Sequence, residues 1–381
     1  MTASFSTPTE PVAIPSGRRA CGRIEVPPSK SITHRYLTLA LLARRPLTLA
    51  RPLRSEDTLL FLVALARCGW AVEERPDRDE IHLEPGAGAL PGTSGGGAPV
   101  EIFCGNAGTM LRLLAAALAA QPGRYLLDGV PRLRERPIAP LVEALRRLGA
   151  AIRYRGQPGC LPLEIDGGTL AGGTTRLDAG VSSQFLSALL LAGLAAQHPL
   201  TVEVTALTSA PYVEITLEAI RQCQGEVAVR HGAGGSLIYQ VLPGLLPPPR
   251  LCVEGDASAA CYPAAAAALT GGSVVLQGLG ADSPQGDRRF LDLLASMGAA
   301  VTWQGDQVTV RGGGLRAVAA DLGAMPDQVP TLAALAPFAQ GVTRIRNVAH
   351  LRHKESDRLA AMATELRRLG AVVEEGPDWL D

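Results

Sequence analysis

The sequence predicts an α/β protein assembled from repeated units, and three observations carry that prediction. An amphipathic helix running into glycine and then an alternating strand recurs five times, at Gly69, Gly149, Gly225, Gly298 and Gly370. Successive glycines lie 80, 76, 73 and 72 residues apart, a regularity that marks one unit copied along the chain. Glycine supplies the left-handed residue that ends a helix, and the alternation after it supplies a strand. Finally, 381 residues with 47% hydrophobic and 19% charged side chains provide material for two or three cores.

Two proline-rich joints divide the chain. Leu245-Leu-Pro-Pro-Pro-Arg250 is a stiff run suited to a crossover, and Pro27-Pro28 is a second joint. They predict a central domain over 28–246 holding three units. A second domain would combine 1–27 with 247–381 and has room for two units. The sequence stops eleven residues after Gly370, on a strand that has barely begun to turn.

Composition removes several function classes. Formal net charge is zero and aromatic content is 4%, so neither general attraction to nucleic acid or an anionic membrane nor a base-stacking surface is expected. Any anion site must be a local concentration of charge. The seven cysteines, at 21, 68, 104, 160, 223, 252 and 261, form no Cys-x-x-Cys pair and have no histidine at metal-ligand spacing. They read as reduced, mostly buried thiols of a cytoplasmic protein, with no metal. The first eleven residues have neither the basic nor the apolar region of a secretory signal. The longest apolar stretches, near 113–120 and 186–196, are too short to span a bilayer.

Polar clusters punctuate the repeat, mostly at helix starts. Pro28-Ser-Lys-Ser-Ile-Thr-His-Arg35 precedes an apolar helical pattern, so Lys30, Ser31 and Arg35 stand where free N–H groups and the positive dipole end favour an anion. An ordinary serine cap explains Ser29 or Ser31 but not two cations. Cys104-Gly-Asn-Ala-Gly108-Thr-Met-Leu-Arg112 is a glycine-rich turn opening into another apolar helix, a weak signal alone. Arg132-Leu-Arg-Glu-Arg136 reads as either a solvated loop or a phosphate clamp. In Val181-Ser182-Ser183-Gln184, three hydrogen-bonding side chains precede a wholly apolar helix, where capping needs one.

Further on, Met325-Pro-Asp327-Gln sets a carboxylate before a helix. His350-Leu-Arg-His-Lys354-Glu355-Ser-Asp357-Arg358 mixes acid, base and cation within nine residues. On a helix, Lys354 and Arg358 would share a face and Glu355 would point to a neighbouring one. Asp357 is equally well explained by surface salt bridges. Of the 36 basic residues only Lys30 and Lys354 are lysines, and both fall inside such clusters. Chance survival of an arginine bias would scatter them, whereas a compact ammonium with an adjustable pKa suits anionic substrates and proton transfer.

In order along the chain, Ser-Lys-Ser-x-x-x-Arg, Gly-Asn-Ala-Gly-Thr, Arg-Glu-Arg-Pro, Ser-Ser-Gln-Phe, Glu254-Gly-Asp-Ala-Ser258, Gln285-Gly-Asp287, Met-Pro-Asp-Gln and Lys-Glu-Ser-Asp-Arg resemble the 5-enolpyruvylshikimate-3-phosphate synthase family. The likeness runs from about residue 20 to the end. It implies a two-domain enolpyruvyl transferase fold of repeated β-α-β-α-β-β units, an inside-out α/β barrel, with the active site in the cleft and the sixth unit largely missing here. It implies transfer of the enolpyruvyl group of phosphoenolpyruvate to the 5-hydroxyl of 3-phosphoshikimate, with release of phosphate, by a monomer without cofactor.

By matching motif positions, the resemblance assigns Lys30, Ser31, Arg35, Ser182, Ser183, Gln184, Ser209, Tyr212, Asp327 and Lys354 to 3-phosphoshikimate. It assigns Lys30, Gly108, Arg136, Gln184 and Arg358 to phosphoenolpyruvate. Asp327 is the candidate base for the 5-hydroxyl and Glu355 the candidate acid for the enol methylene; Lys30 is the third catalytic candidate, and Lys354 is close enough to tune either carboxyl. His350 stands where some members carry asparagine, and Leu113 where many carry proline. Members also continue for about 45–60 residues by the repeat spacing, with an Asp-His-Arg motif and a late lysine that this sequence lacks. The alternatives are a shortened relative that binds 3-phosphoshikimate with little turnover, and the UDP-N-acetylglucosamine enolpyruvyl transferase. The latter would show Gly-Ala-Lys-Asn in place of Pro-Ser-Lys-Ser and a loop cysteine near an arginine.

Overall fold

A computed structural model describes residues 16–86 and 98–381, so the first eleven residues read for a signal lie outside it. Among the described residues are four four-stranded sheets with one shared strand order. Side by side lie Arg250–Cys252, Leu47–Ala50, Glu80–Pro85 and Trp70–Arg75; Val100–Phe103, Gly123–Asp128, Leu163–Gly167 and Ala151–Tyr154; Gly173–Ala179, Leu200–Leu207, Leu237–Leu242 and Glu226–His231; and Cys21–Glu25, Ser273–Gln277, Gln307–Arg311 and Ala300–Gln304. In every sheet the first two strands are parallel and the remaining pairings antiparallel. A fifth sheet pairs Ala319–Asp321 in parallel with Arg344–Arg346. Antiparallel bridges Ile345 to Leu380 and Glu375 to Leu380 begin the same order there.

Each predicted helix-to-strand junction sits inside one of these units. Gly69, Gly149, Gly298 and Gly370 have φ of 84°, 94°, 114° and 88°, the left-handed backbone that closes a helix without a Cβ penalty. Gly225 differs, because Gln224 at φ 55° takes the left-handed position instead. A Cβ at Gly225 would lie 2.7 Å from Ile220 Cγ2 and 2.8 Å from Leu194 Cδ2, so close packing requires that glycine.

Two hydrophobic cores result. One gathers buried residues from Ile32 to Val253, the other Val26 together with Ala257 to Leu380. The chain passes between them twice, and the passages touch. Pro28 bridges Gly255, Ser29 N–H donates to the Glu254 carbonyl at 2.8 Å, and Asp256 N–H donates to the Pro27 carbonyl at 2.8 Å. The proline run at 247–249 precedes the second passage, since Arg250–Cys252 still pairs with Leu47–Ala50.

Three helices at the centre of the first core are buried on nearly every side: Lys30–Ala43, Gly108–Ala119 and Gln184–Gly193. A helix apolar all round must be enclosed, and the three pack on one another. Their polar first turns are thereby gathered at one end of the core. In the second core, Phe338, Val342, Leu369 and Val372 are exposed around a groove of about 810 Å³ beside Leu380 and Asp381. Cys68, Cys104, Cys223 and Cys261 are buried, Cys160 is intermediate, and Cys21 and Cys252 are exposed, all as free thiols. No helix among the described residues is long and apolar enough to cross a membrane.

Candidate active site

Helix starts from the first core meet loops from the second, and most of the singled-out residues converge there. Arg136 is 5% exposed and lies against the glycine-rich turn. A Cβ built on Gly108 would stand 2.7 Å from its guanidinium carbon and both terminal nitrogens, so only glycine leaves Arg136 that place. Arg136 Nη1 donates to Glu355 Oε1 at 3.1 Å, and Arg358 Nη2 donates to Glu355 Oε2 at 3.0 Å. One carboxylate from the second core is thus held between two guanidinium groups.

Glu355 sits in a loop, a correction to the helical placement expected for 354–358. Residues Ala349–His353 form a 3-10 turn, and the helix begins at Arg358 with Asp357 as its cap, accepting from Ala360 N–H. The cap competes with helix continuation, which frees Lys354 and Glu355 to face the first core. Burial pushes the Glu355 carboxyl up, but Arg136 and Arg358 outweigh it and hold the pKa at about 2.

Asp327 lies at a helix start, Pro326–Gln328 leading into Val329–Leu335. Tyr212 Oη donates to its Oδ2 at 2.6 Å and Arg358 Nη1 to its Oδ1 at 2.7 Å. Burial opposes ionisation, yet Lys354, Arg358 and the Tyr212 hydroxyl keep this carboxyl below the ordinary range. Nearby Asp287, buried and close to that charge, is pushed up. Its Oδ2 accepts from Ser258 Oγ and Gln328 Nε2. Opposite shifts on two neighbouring buried carboxyls are found where protons are transferred and also in structural ion-pair networks. Burial lowers the Lys354 ammonium, with Asp327 acting against it.

Gln184 Nε2 donates to Thr109 Oγ1 at 2.9 Å, and Gln184 accepts from Arg112 Nη1, joining two buried helix starts. Ser183 is buried at the start of the helix, and Ser182 Oγ accepts from Gln184 N–H. Arg112, quoted in its motif but not assigned, proves to belong to this group. Burial and neighbouring Arg136 bring its pKa to about 9, and the Nε atoms of Arg112 and Arg136 have no partner among the described residues. Cations crowded at buried positions with so few counter-charges make the region a strong anion receptor.

Ser209 adopts φ 51°, a strained conformation for a residue with Cβ and common at functional positions. Its Oγ lies 3.4 Å from the Gly323 carbonyl oxygen and 3.4 Å from His350 Nε2. Lys30 Nζ pairs with Asp57 at 3.3 Å, and Lys30 N–H donates to Asp256 Oδ2 at 3.2 Å. Ser31 contributes its carbonyl to Arg35. Arg35 faces inward: it is buried and its donors reach Thr216, Ser31, Ser187 and the Tyr212 carbonyl. It braces three helices at the base of the site. Ser29 occupies the cap position, but its side chain makes no capping bond.

Burial lowers the pKa of His350 to about 4 and of His34 to about 3, from an ordinary 6.5. Both rings stay neutral in the fold, while the unfolded chain takes up protons below 6.5. The unfolded state then binds more protons, so stability falls with falling pH. The urea midpoint is expected to drop as pH goes from 6.5 to 4, and His350→Asn to flatten part of that drop. An unchanged slope in the variant would mean that the ring is already protonated in the fold.

Comparison with known proteins shows the family and the fold. The family described as EPSP synthase (3-phosphoshikimate 1-carboxyvinyltransferase) matches residues 15–381. A 3-phosphoshikimate 1-carboxyvinyltransferase from Vibrio cholerae serotype O1 (strain M66-2) is 44% identical over 365 residues, 94% of this chain and 83% of that protein. One from Sulfurovum sp. (strain NBC37-1) is 43% identical, with 94% and 83% covered. A solved EPSP synthase from Acinetobacter baumannii superposes with a TM-score of 0.74 at 28% identity, covering 94% of this chain and 81% of that one. The fold is therefore that of the two-domain enolpyruvyl transferases. The chain belongs to the EPSP synthase family.

Proposed function

We propose that this chain is a 3-phosphoshikimate 1-carboxyvinyltransferase, transferring the enolpyruvyl group of phosphoenolpyruvate to the 5-hydroxyl of 3-phosphoshikimate and releasing phosphate. The observation that carries the reading is the Glu355 carboxylate clasped by Arg136 and Arg358 beside an ionised Asp327. Two guanidinium forks that hold one carboxylate can hold another, and phosphoenolpyruvate brings a carboxylate and a phosphate. We assign Lys30, Gly108, Arg136, Gln184 and Arg358 to that substrate. Lys30, Ser31, Arg35, Ser182, Ser183, Gln184, Ser209, Tyr212, Asp327 and Lys354 are assigned to 3-phosphoshikimate, with Arg35 acting through the helices it braces. The domains are taken as 28–246 and as 1–27 with 247–381, except that the Arg250–Cys252 strand and Val253 pack in the first of them, the cleft between them being the site of a monomeric enzyme of the cytoplasm.

Asp327 accepts the proton of the 5-hydroxyl as its oxygen bonds to the substituted enol carbon, and Glu355 delivers a proton to the methylene carbon. With a pKa of about 2, Glu355 has no proton to give while Arg136 and Arg358 hold it. An incoming phosphoenolpyruvate anion takes both cations, leaves Glu355 in a partly buried site with its partners neutralised, and raises its pKa. Substrate binding thereby arms the acid. Loss of a methyl proton back to Glu355, with departure of phosphate from the adjacent carbon to which the 5-oxygen has bonded, restores the double bond and completes the transfer. Convergent cations offset the repulsion between two polyanions, and their fixed positions spare reorganisation during the reaction.

The test is phosphate release by the 381-residue chain given both substrates, with Lys30→Ala as control. Release abolished by the substitution is the expected result. Binding of 3-phosphoshikimate without release would favour the non-catalytic relative, and release that survives Lys30→Ala would remove that lysine from the site.

A further inference from the structure

Arg132 joins the two cores by a contact of a different kind from that of Arg136. Its Nη2 donates to the Lys354 carbonyl at 2.8 Å and its Nε to the Glu355 carbonyl at 3.0 Å. Its Nη1 donates to Glu135 Oε2 at 2.8 Å. The first two span more than 220 positions of sequence and grip main chain, so they do not depend on which way the Glu355 side chain turns. The loop they hold has no regular structure of its own between the 3-10 turn ending at His353 and the helix starting at Arg358. On the far side Arg352 ties the same loop to the Gly376 carbonyl at 2.6 Å and to Asp357 at 2.7 Å.

We propose that Arg132 is a positioning residue that fixes the Lys354–Glu355 main chain across the cleft and keeps it there while Glu355 exchanges Arg136 and Arg358 for substrate. This rests on the reading of Glu355 and Lys354 given above. The Arg136 contact competes with an anionic substrate, whereas the Arg132 contact does not, so it persists through the reaction. A lysine cannot reproduce it, because a single ammonium has no planar fork to reach two successive carbonyls.

The test compares the chain with Arg132→Ala and Arg132→Lys. Misplacing reacting groups by about 1 Å costs on the order of 100-fold, so phosphate release should fall about 10- to 100-fold in kcat in both. Binding of 3-phosphoshikimate by calorimetry should weaken by less than kcat falls, since Lys354 is only one of the residues assigned to that substrate, and added guanidinium should restore the alanine variant. A kcat within twofold of the parent overturns the proposal, as does a loss that guanidinium does not relieve. If the parent chain itself releases no phosphate, the functional reading fails separately. Hydrogen exchange of residues 352–357 then decides: exchange accelerated about tenfold or more in Arg132→Ala supports the clamp, and unchanged exchange overturns it.

Discussion

Gly108→Ala is expected to raise the KM for phosphoenolpyruvate about ten- to a hundredfold while the affinity for 3-phosphoshikimate changes little. The new Cβ would fall 2.7 Å from three atoms of the Arg136 guanidinium, nearer than packed atoms approach. The alanine is held at the first residue of a buried helix, so the arginine must give way. Arg136 is itself nearly enclosed and has little room to resettle in line with Arg358. Losing one charge-assisted contact costs about 1.5–3 kcal/mol, which sets the range. Steady-state phosphate release with each substrate varied in turn reads the effect. Equal rises in both KM values would show a general disturbance of the fold, and no rise would place Arg136 outside the phosphoenolpyruvate site.

Asp327→Asn should lower kcat by about 100- to 10,000-fold, the usual contribution of a positioned base, with the binding of both substrates retained within tenfold. The amide keeps the shape of the carboxyl and can still accept from Arg358 or from Tyr212, but it cannot take the hydroxyl proton. Tyr212→Phe gives a graded companion result. Removing the 2.6 Å bond to Oδ2 withdraws one of the groups that hold the Asp327 carboxyl down, so its pKa rises. The acidic limb of the pH–rate profile is then expected to move to higher pH. A full rate in Asp327→Asn would hand the base role to another group. An unmoved limb in Tyr212→Phe would show that this carboxyl does not control it.

The helix ends were legible because their chemistry is local. Gly69, Gly149, Gly298 and Gly370 take the backbone conformation that glycine tolerates best, and the strands after the first three of them follow from alternation alone. The same reasoning misassigned the left-handed residue at Gly225. There the packing of Ile220 and Leu194, not backbone freedom, requires the missing side chain. The clusters at Lys30, Gly108 and Gln184 were legible as helix starts. That Arg35 would turn inward could not be read, since its partners other than the Ser31 carbonyl lie 152 to 181 residues away.

Lys354 and Glu355 illustrate the other limit. Spacing of four suggested a helical face, but Asp357 caps the next helix and leaves both residues in a loop. Spacing rules apply only once the helix boundary is known. The importance of Arg132 had no distinguishing signal, because an arginine that grips carbonyls looks like any solvated arginine in sequence.

The sequence alone determined the repeated α/β unit, the apolar helices that must be enclosed, and the residue types able to bind anions and move protons. Those follow from periodicity, backbone preference and side-chain chemistry within a few residues. Only the tertiary structure decided that Glu355 lies between Arg136 and Arg358, that Asp327 is ionised beside a raised Asp287, and that Arg132 spans the cleft. Those depend on desolvation and on groups that meet across as many as 223 residues of chain. Electrostatic energies depend on distance and burial, and neither exists until the two cores have folded and met.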